Sequence, residues 1–121
     1  MTTFASKYNK VSASYSFQYP EVPIYIKLAD LYKNFGPEKV YEVYALYIKE
    51  KGQYGPQPAV ATEGNMIVNL PSFLVDLVKE MRADTELTEA INGGRFGFRV
   101  REYTRRGETR KLYSVEWIDL K

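Results

Sequence analysis

Arg99, Arg101, Tyr103, Arg105, Arg106, Arg110 and Lys111 crowd one short stretch of this chain. A guanidinium presents planar N–H donors that match phosphate oxygens, and a tyrosine ring offers a face on which a base can stack. The spacing is as telling as the residue types. Phe96, Phe98 and Val100 alternate with Gly97, Arg99, Arg101 and Tyr103. That period of two makes one strand face apolar and the other basic. Lys111–Ile118 repeats the pattern with Tyr113, Val115 and Trp117 on one face, after a Gly-containing loop from Arg105 to Thr109. The stretch therefore reads as a β-hairpin with a basic outer side and a basic tip. Two explanations fit. The charges can receive a polyanion, or they can blunt an exposed sheet edge against aggregation.

A second group lies earlier. Tyr44, Tyr47, Lys49, Lys51 and Tyr54 fall in or just after the run 40–49, within a chain that holds eleven tyrosines. Taken singly, a tyrosine is ordinarily a core body with a hydrogen-bonded hydroxyl. Taken together, at least one is expected to face a ligand. The run is apolar on both faces with Glu42 as the exception, so spacing alone does not say which face turns outward.

Composition removes other chemistries. With no Cys and no His, disulfides, thiolate metal sites and His-dependent acid–base catalysis are excluded. No Gly-rich phosphate loop and no nucleophile elbow occurs. The carboxylates mostly fall on one helix face, where solvation is the ordinary reading, although a carboxylate-only Mg²⁺ site stays open. The net charge of +2 conceals segregation. Seven basic residues stand against two acidic ones between Arg95 and Lys111, whereas five acidic stand against two basic between Pro71 and Asn92. Local charge decides where a phosphate backbone would sit. The acidic helix, from Asp76 to Glu89, supports an alternative reading as a protein-interaction module that modulates a host enzyme.

The 121 residues suit one domain, 1–121. No apolar run is long enough to span a membrane, and the first residues lack the apolar middle of a signal peptide, so an intracellular site is expected. Val11–Tyr19 alternates strictly and predicts a half-buried strand. Residues 24–28 suit a short extended piece, and Leu28, Leu31, Tyr32 and Phe35 a short helix stopped by Gly36-Pro37. Val40–Lys49 predicts one strand, Glu50–Pro58 a mobile loop, and Val60–Leu70 a weaker strand. Leu70, Leu74, Leu77, Val78 and Met81 form the buried stripe of an amphipathic helix starting at Pro71. Asp84-Thr85 caps a second segment that ends at Gly93-Gly94, and Trp117 reads as core.

Five strands with one main helix between the third and fourth is the order of an OB-fold, a small, partly open barrel. The segments KVYEVYALYIKEKGQYG, MIVNLPSFLVDLVKEM, ELTEAINGGRFGFRV and LYSVEWI, in that order, resemble the small single-stranded-DNA-binding proteins of phages of Gram-positive bacteria, notably those of lactococcal siphophages. The resemblance covers roughly residues 40–118. It implies a mostly β, variant OB-fold that coats single-stranded DNA in phage replication and recombination, without catalysis or cofactor, in the cytoplasm of the infected bacterial host. It further implies a recombinase or annealing protein as partner, with the basic and Tyr residues of 40–55 and of 99–111 as binding groups. A homo-oligomer is expected because pairing raises avidity. Cellular relatives recruit partners through an acidic tail, and this chain ends WIDLK, which argues against recruitment of that kind.

Overall fold

The computed structural model describes residues 15–52 and 55–120. They form a mixed α/β structure, mostly sheet, with three α-helices and two sheets, neither closed into a barrel. In chain order the elements are β1 (Ile24–Lys27), α1 (Leu28–Phe35), β2 (Tyr41–Glu42), β3 (Ala45–Gly52), β4 (Gly55–Thr62), β5 (Met66–Asn69), α2 (Val75–Ala83), α3 (Thr85–Asn92), β6 (Phe96–Tyr103) and β7 (Leu112–Asp119). A 3₁₀ turn, Ser72–Leu74, leads into α2. The four-stranded sheet runs β1-β5-β4-β3, with β1 parallel to β5, and the three-stranded sheet runs β2-β6-β7.

The run 40–49 is two strands rather than one. The Val43 amide bonds Phe96 O in the small sheet, and the next amide, of Tyr44, bonds Ala61 O in the large one. The chain thus changes sheets between consecutive residues. Buried Thr62 stabilises the crossing by donating its hydroxyl to the Glu42 carbonyl at 2.7 Å. This explains the two-sided apolar pattern, since the segment lies between layers. Tyr41, Val43 and Leu46 join the main core with Val60, Val68, Phe98 and Val100, while Ala45, Ala59, Ala61 and Ile67 form a smaller cluster on the opposite face of the large sheet.

The expected loop 50–58 is mostly strand. Pro56 and Pro58 are two residues apart, so their missing N–H groups point the same way. Leu70 N bonds Pro58 O, which places that side toward β5, at the point where β5 has ended. The pairing of β4 with β3 is therefore not interrupted. The expected strand 60–70 is divided by a turn in which Gly64 and Asn65 both adopt positive φ, at 71° and 61°, the requirement of a type I′ hairpin turn.

Of the expected strand 11–19, residues 11–14 lie outside the described residues. Residues 15–19 form no strand, yet the alternation has a consequence: Tyr15 and Phe17 pack against the small cluster, and Ser16 and Gln18 face solvent. The helices fall where periodicity places them. Asp84 caps α3, its Oδ1 accepting from Leu87 N at 3.2 Å. Leu77, expected in the buried stripe, is exposed, whereas Leu70 and Val78 are buried and Leu74 and Met81 pack half-buried against the core. Trp117 is half-buried, stacked on Phe96 at 5.6 Å.

Candidate nucleic-acid interface

The β6–β7 hairpin forms with the expected partners: Phe98 faces Trp117 and Val100 faces Val115. Its register also places Glu116 directly opposite Arg99. The Glu116 carboxylate accepts from Arg99 Nε and Nη2, and from Arg101 Nη2 at 2.8 Å and Nε at 3.1 Å. These contacts hold the Glu116 carboxyl below its ordinary value, with the Arg99 hydrogen bond the largest cause. Glu38 stands 3.9 Å from Arg99 as well. Closer to the tip, Lys111 pairs with Glu102 at 3.5 Å, and the Tyr113 hydroxyl donates to the same carboxylate at 3.1 Å. Five of the cationic and anionic groups on this hairpin are thus spent on one another.

The tip differs. The turn Arg105–Glu108 is closed by Glu108 N to Arg105 O at 2.9 Å and needs Gly107 at φ 83°. Arg105, Arg106 and Arg110 are exposed there and form no ion pair among the described residues. Tyr103 is half-buried at the end of β6, opposite Leu112.

The outer face of the large sheet gathers aromatics. Along β4, one of its two inner strands, Ala59 and Ala61 are small, while Tyr47 on β3 and Tyr25 on β1 stand at the two edges. Small residues between large ones leave a hollow. Tyr19, from the segment preceding β1, bridges it. Its ring meets the Tyr47 ring edge-on at 5.4 Å, and its hydroxyl lies 2.8 Å from that of Tyr25. Lys49 Nζ sits 5.0 Å from the Tyr25 ring centroid. The resulting cleft, about 130 Å³, is lined by Tyr19, Tyr25, Tyr47, Lys49, Ala59 and Ile67. Tyr19 and Tyr25 remain 47% and 54% exposed. The Tyr19 hydroxyl is pushed up to about 12, first by burial and then by its hydrogen bond to Tyr25. Burial raises the Tyr47 hydroxyl too, opposed by the charge of Arg82.

Tyr44 belongs to a neighbouring cleft, about 270 Å³, with Ser16, Phe17, Glu42, Ile91 and Asn92. Its ring lies 5.5 Å from that of Phe17. Burial raises its hydroxyl, helped by the charges of Glu42 and Glu63. Of the remaining expected residues, Lys51 lies in β3 and Tyr54 lies outside the described residues. The structure therefore joins Tyr47 to Lys49, separates Tyr44 from them, and neutralises Arg99, Arg101 and Lys111. Tyr19 and Tyr25 were not expected as site residues. Their signals were an alternating aromatic run and the short extended piece IYIK, but nothing in the sequence pairs Tyr25 with Tyr47 across the two strands between them.

Among the described residues no three acidic side chains gather to hold a metal ion, and no helix is long and apolar enough to cross a membrane. No family model, curated protein or solved structure matches the chain.

Proposed function

We propose that this chain binds single-stranded DNA without catalysis and without sequence readout, stacking bases on tyrosines of the large sheet and meeting phosphates with lysine and arginine. The observation that carries the reading is the open cleft formed by Tyr19, Tyr25 and Tyr47 around Lys49. Exposed rings with an adjacent cation on a sheet face suit unstacked bases beside a charged backbone. Duplex DNA offers no free base faces and is a poor ligand for such a surface. Arg105, Arg106 and Arg110 supply further phosphate contacts from the hairpin tip. On this reading the two sheets that exchange the chain at Val43 and Tyr44 are a variant, open form of the OB barrel. The chain then belongs with the phage proteins it resembles, coating single strands as a homo-oligomer in the host cytoplasm beside a recombinase or annealing protein.

Titration of a labelled oligo-dT at two salt concentrations, with duplex of equal length as competitor, tests this. Tight binding that duplex does not displace, weakening with salt by about 0.7 in slope per neutralised phosphate, is expected. No binding at low salt contradicts it. A second reading has its own observation: Phe73, in the turn that leads into the acidic helix, is 60% exposed, a surface suited to a protein partner. Capture of a host protein by a chain that ignores oligo-dT would favour that reading.

A further inference from the structure

Glu42 is the one charged residue in the otherwise apolar run 40–48, and the hairpin shows what is unusual about it. Glu116 faces Arg99 across its strand pair and is neutralised. Glu42 faces Gly97, which has no side chain to offer. Gly97 cannot be larger, because a Cβ there would lie 2.6 Å from Tyr41 O. The Glu42 carboxylate consequently has no cation or hydrogen-bond donor among the described residues, and it lines the cleft of about 270 Å³ with Phe17, Tyr44, Ile91 and Asn92. The cleft wall is held in place: Ser16 N donates to Asn92 Oδ1 at 2.9 Å, tying the segment that carries Phe17 to the end of α3.

We infer that this cleft is a base-reading subsite that takes a guanine of the bound strand, stacked against the Phe17–Tyr44 ring pair with its Watson–Crick edge on Glu42. The inference rests on the single-strand reading above. A lone carboxylate repels phosphate, so the occupant is a base and not the backbone. Carboxylate oxygens only accept, and two adjacent acceptors are best met by two adjacent donors. Guanine presents that pair, its ring N–H and its amino group, on one edge. Adenine and cytosine present one amino donor next to a ring acceptor, and thymine presents one N–H between two carbonyls. The rings contribute stacking that is indifferent to base identity, whereas the carboxylate supplies the discrimination. The other cleft, with Lys49 and no carboxylate in its lining, reads nothing and only stacks.

The test uses the full chain and labelled tracts of thymidine in which every third base is replaced by guanine or by adenine, spaced so that no guanines adjoin. The expected result is guanine-containing tracts binding about tenfold tighter than adenine-containing ones, the size of one good bidentate base contact. Glu42→Gln is expected to bring the two tracts together, with oligo-dT still bound and, one repulsive charge having gone, bound no more weakly than before. The substitution keeps the backbone carbonyl that Thr62 uses, and an unchanged unfolding midpoint checks that the fold persists. Equal binding of the two tracts by the unsubstituted protein, with oligo-dT still bound, overturns the inference and leaves the single-strand reading standing. A guanine preference that survives Glu42→Gln also overturns it. Failure to bind any tract removes the single-strand reading and this subsite with it.

Discussion

On the β6–β7 hairpin, Arg99 and Arg101 close on Glu116. On the outer face of the large sheet, Lys49 closes on the Tyr25 ring and has no ion-pair partner among the described residues. Both regions combine cations with aromatic residues. The hairpin is the denser in charge, yet Glu116 and Glu102 supply counterions for three of its six cations, Arg99, Arg101 and Lys111. The cleft has a single cation, Lys49, and no carboxylate lines it. Charge density along the chain is thus a poor guide to charge available to a ligand, because a cross-strand neighbour contributes as much as a sequence neighbour.

The largest effect is expected where the hairpin joins β2. Gly97→Ala drives a Cβ to 2.6 Å from Tyr41 O and to 3.1 Å from the Leu120 side chain, against the strand pair that sets the hairpin's position. A loss of about 1–3 kcal/mol in urea unfolding is expected, as for other overpacked sites. Next in size is the tip. Replacing Arg105, Arg106 and Arg110 together by Ala is expected to lower the salt slope of oligo-dT binding by up to about 2, at roughly 0.7 per lost contact. An unchanged slope would exclude the tip from the interface.

Glu116→Gln sharpens the contrast from the other side. It frees Arg99 and Arg101, so affinity for oligo-dT is expected to rise. Stability changes with a defined sign. Because the folded carboxyl is held below its ordinary 4.5, its contribution is present above that value and is lost as pH falls through the lowered one. Urea midpoints of the two proteins are expected to differ at neutral pH and to converge in acid. The smallest effect is spectroscopic. The raised Tyr19 hydroxyl contributes stability below 10.0 that is lost as pH rises through about 12. Tyr25→Phe removes the hydrogen bond but not the burial, so the late phase of phenolate absorbance is expected to move part of the way toward 10.0.

Periodicity located the hairpin strands, α1, α2 and α3 to within a few residues, because each buries one face with a regular repeat. It failed where the chain changes sheets. Nothing in the apolar order of Tyr41, Val43, Ala45 and Leu46 marks that Val43 and Tyr44 donate to different sheets. Pro56 and Pro58 read as loop because their tolerance depends on where β5 stops. Gly64-Asn65 was a legible turn pair that the surrounding Val60–Leu70 run concealed. Of the candidate site, Tyr47 and Lys49 were visible as residue types. Their assembly with Tyr19 and Tyr25 depends on strand order, which residue spacing does not encode. Glu116 drew no notice in the sequence, because only the strand register sets it against Arg99.

The most direct measurement compares oligo-dT affinity in two double variants at equal salt: Tyr25→Ala with Tyr47→Ala, and Arg99→Ala with Arg101→Ala. Loss of one stacked base costs about 1–3 kcal/mol, so the tyrosine pair is expected to weaken binding by at least about fivefold. The arginine pair, already neutralised by Glu116, is expected to change it by less than about threefold, the range of a surface ion pair. The reverse order, with the arginine variant the weaker binder, would contradict the account and return the interface to the hairpin face.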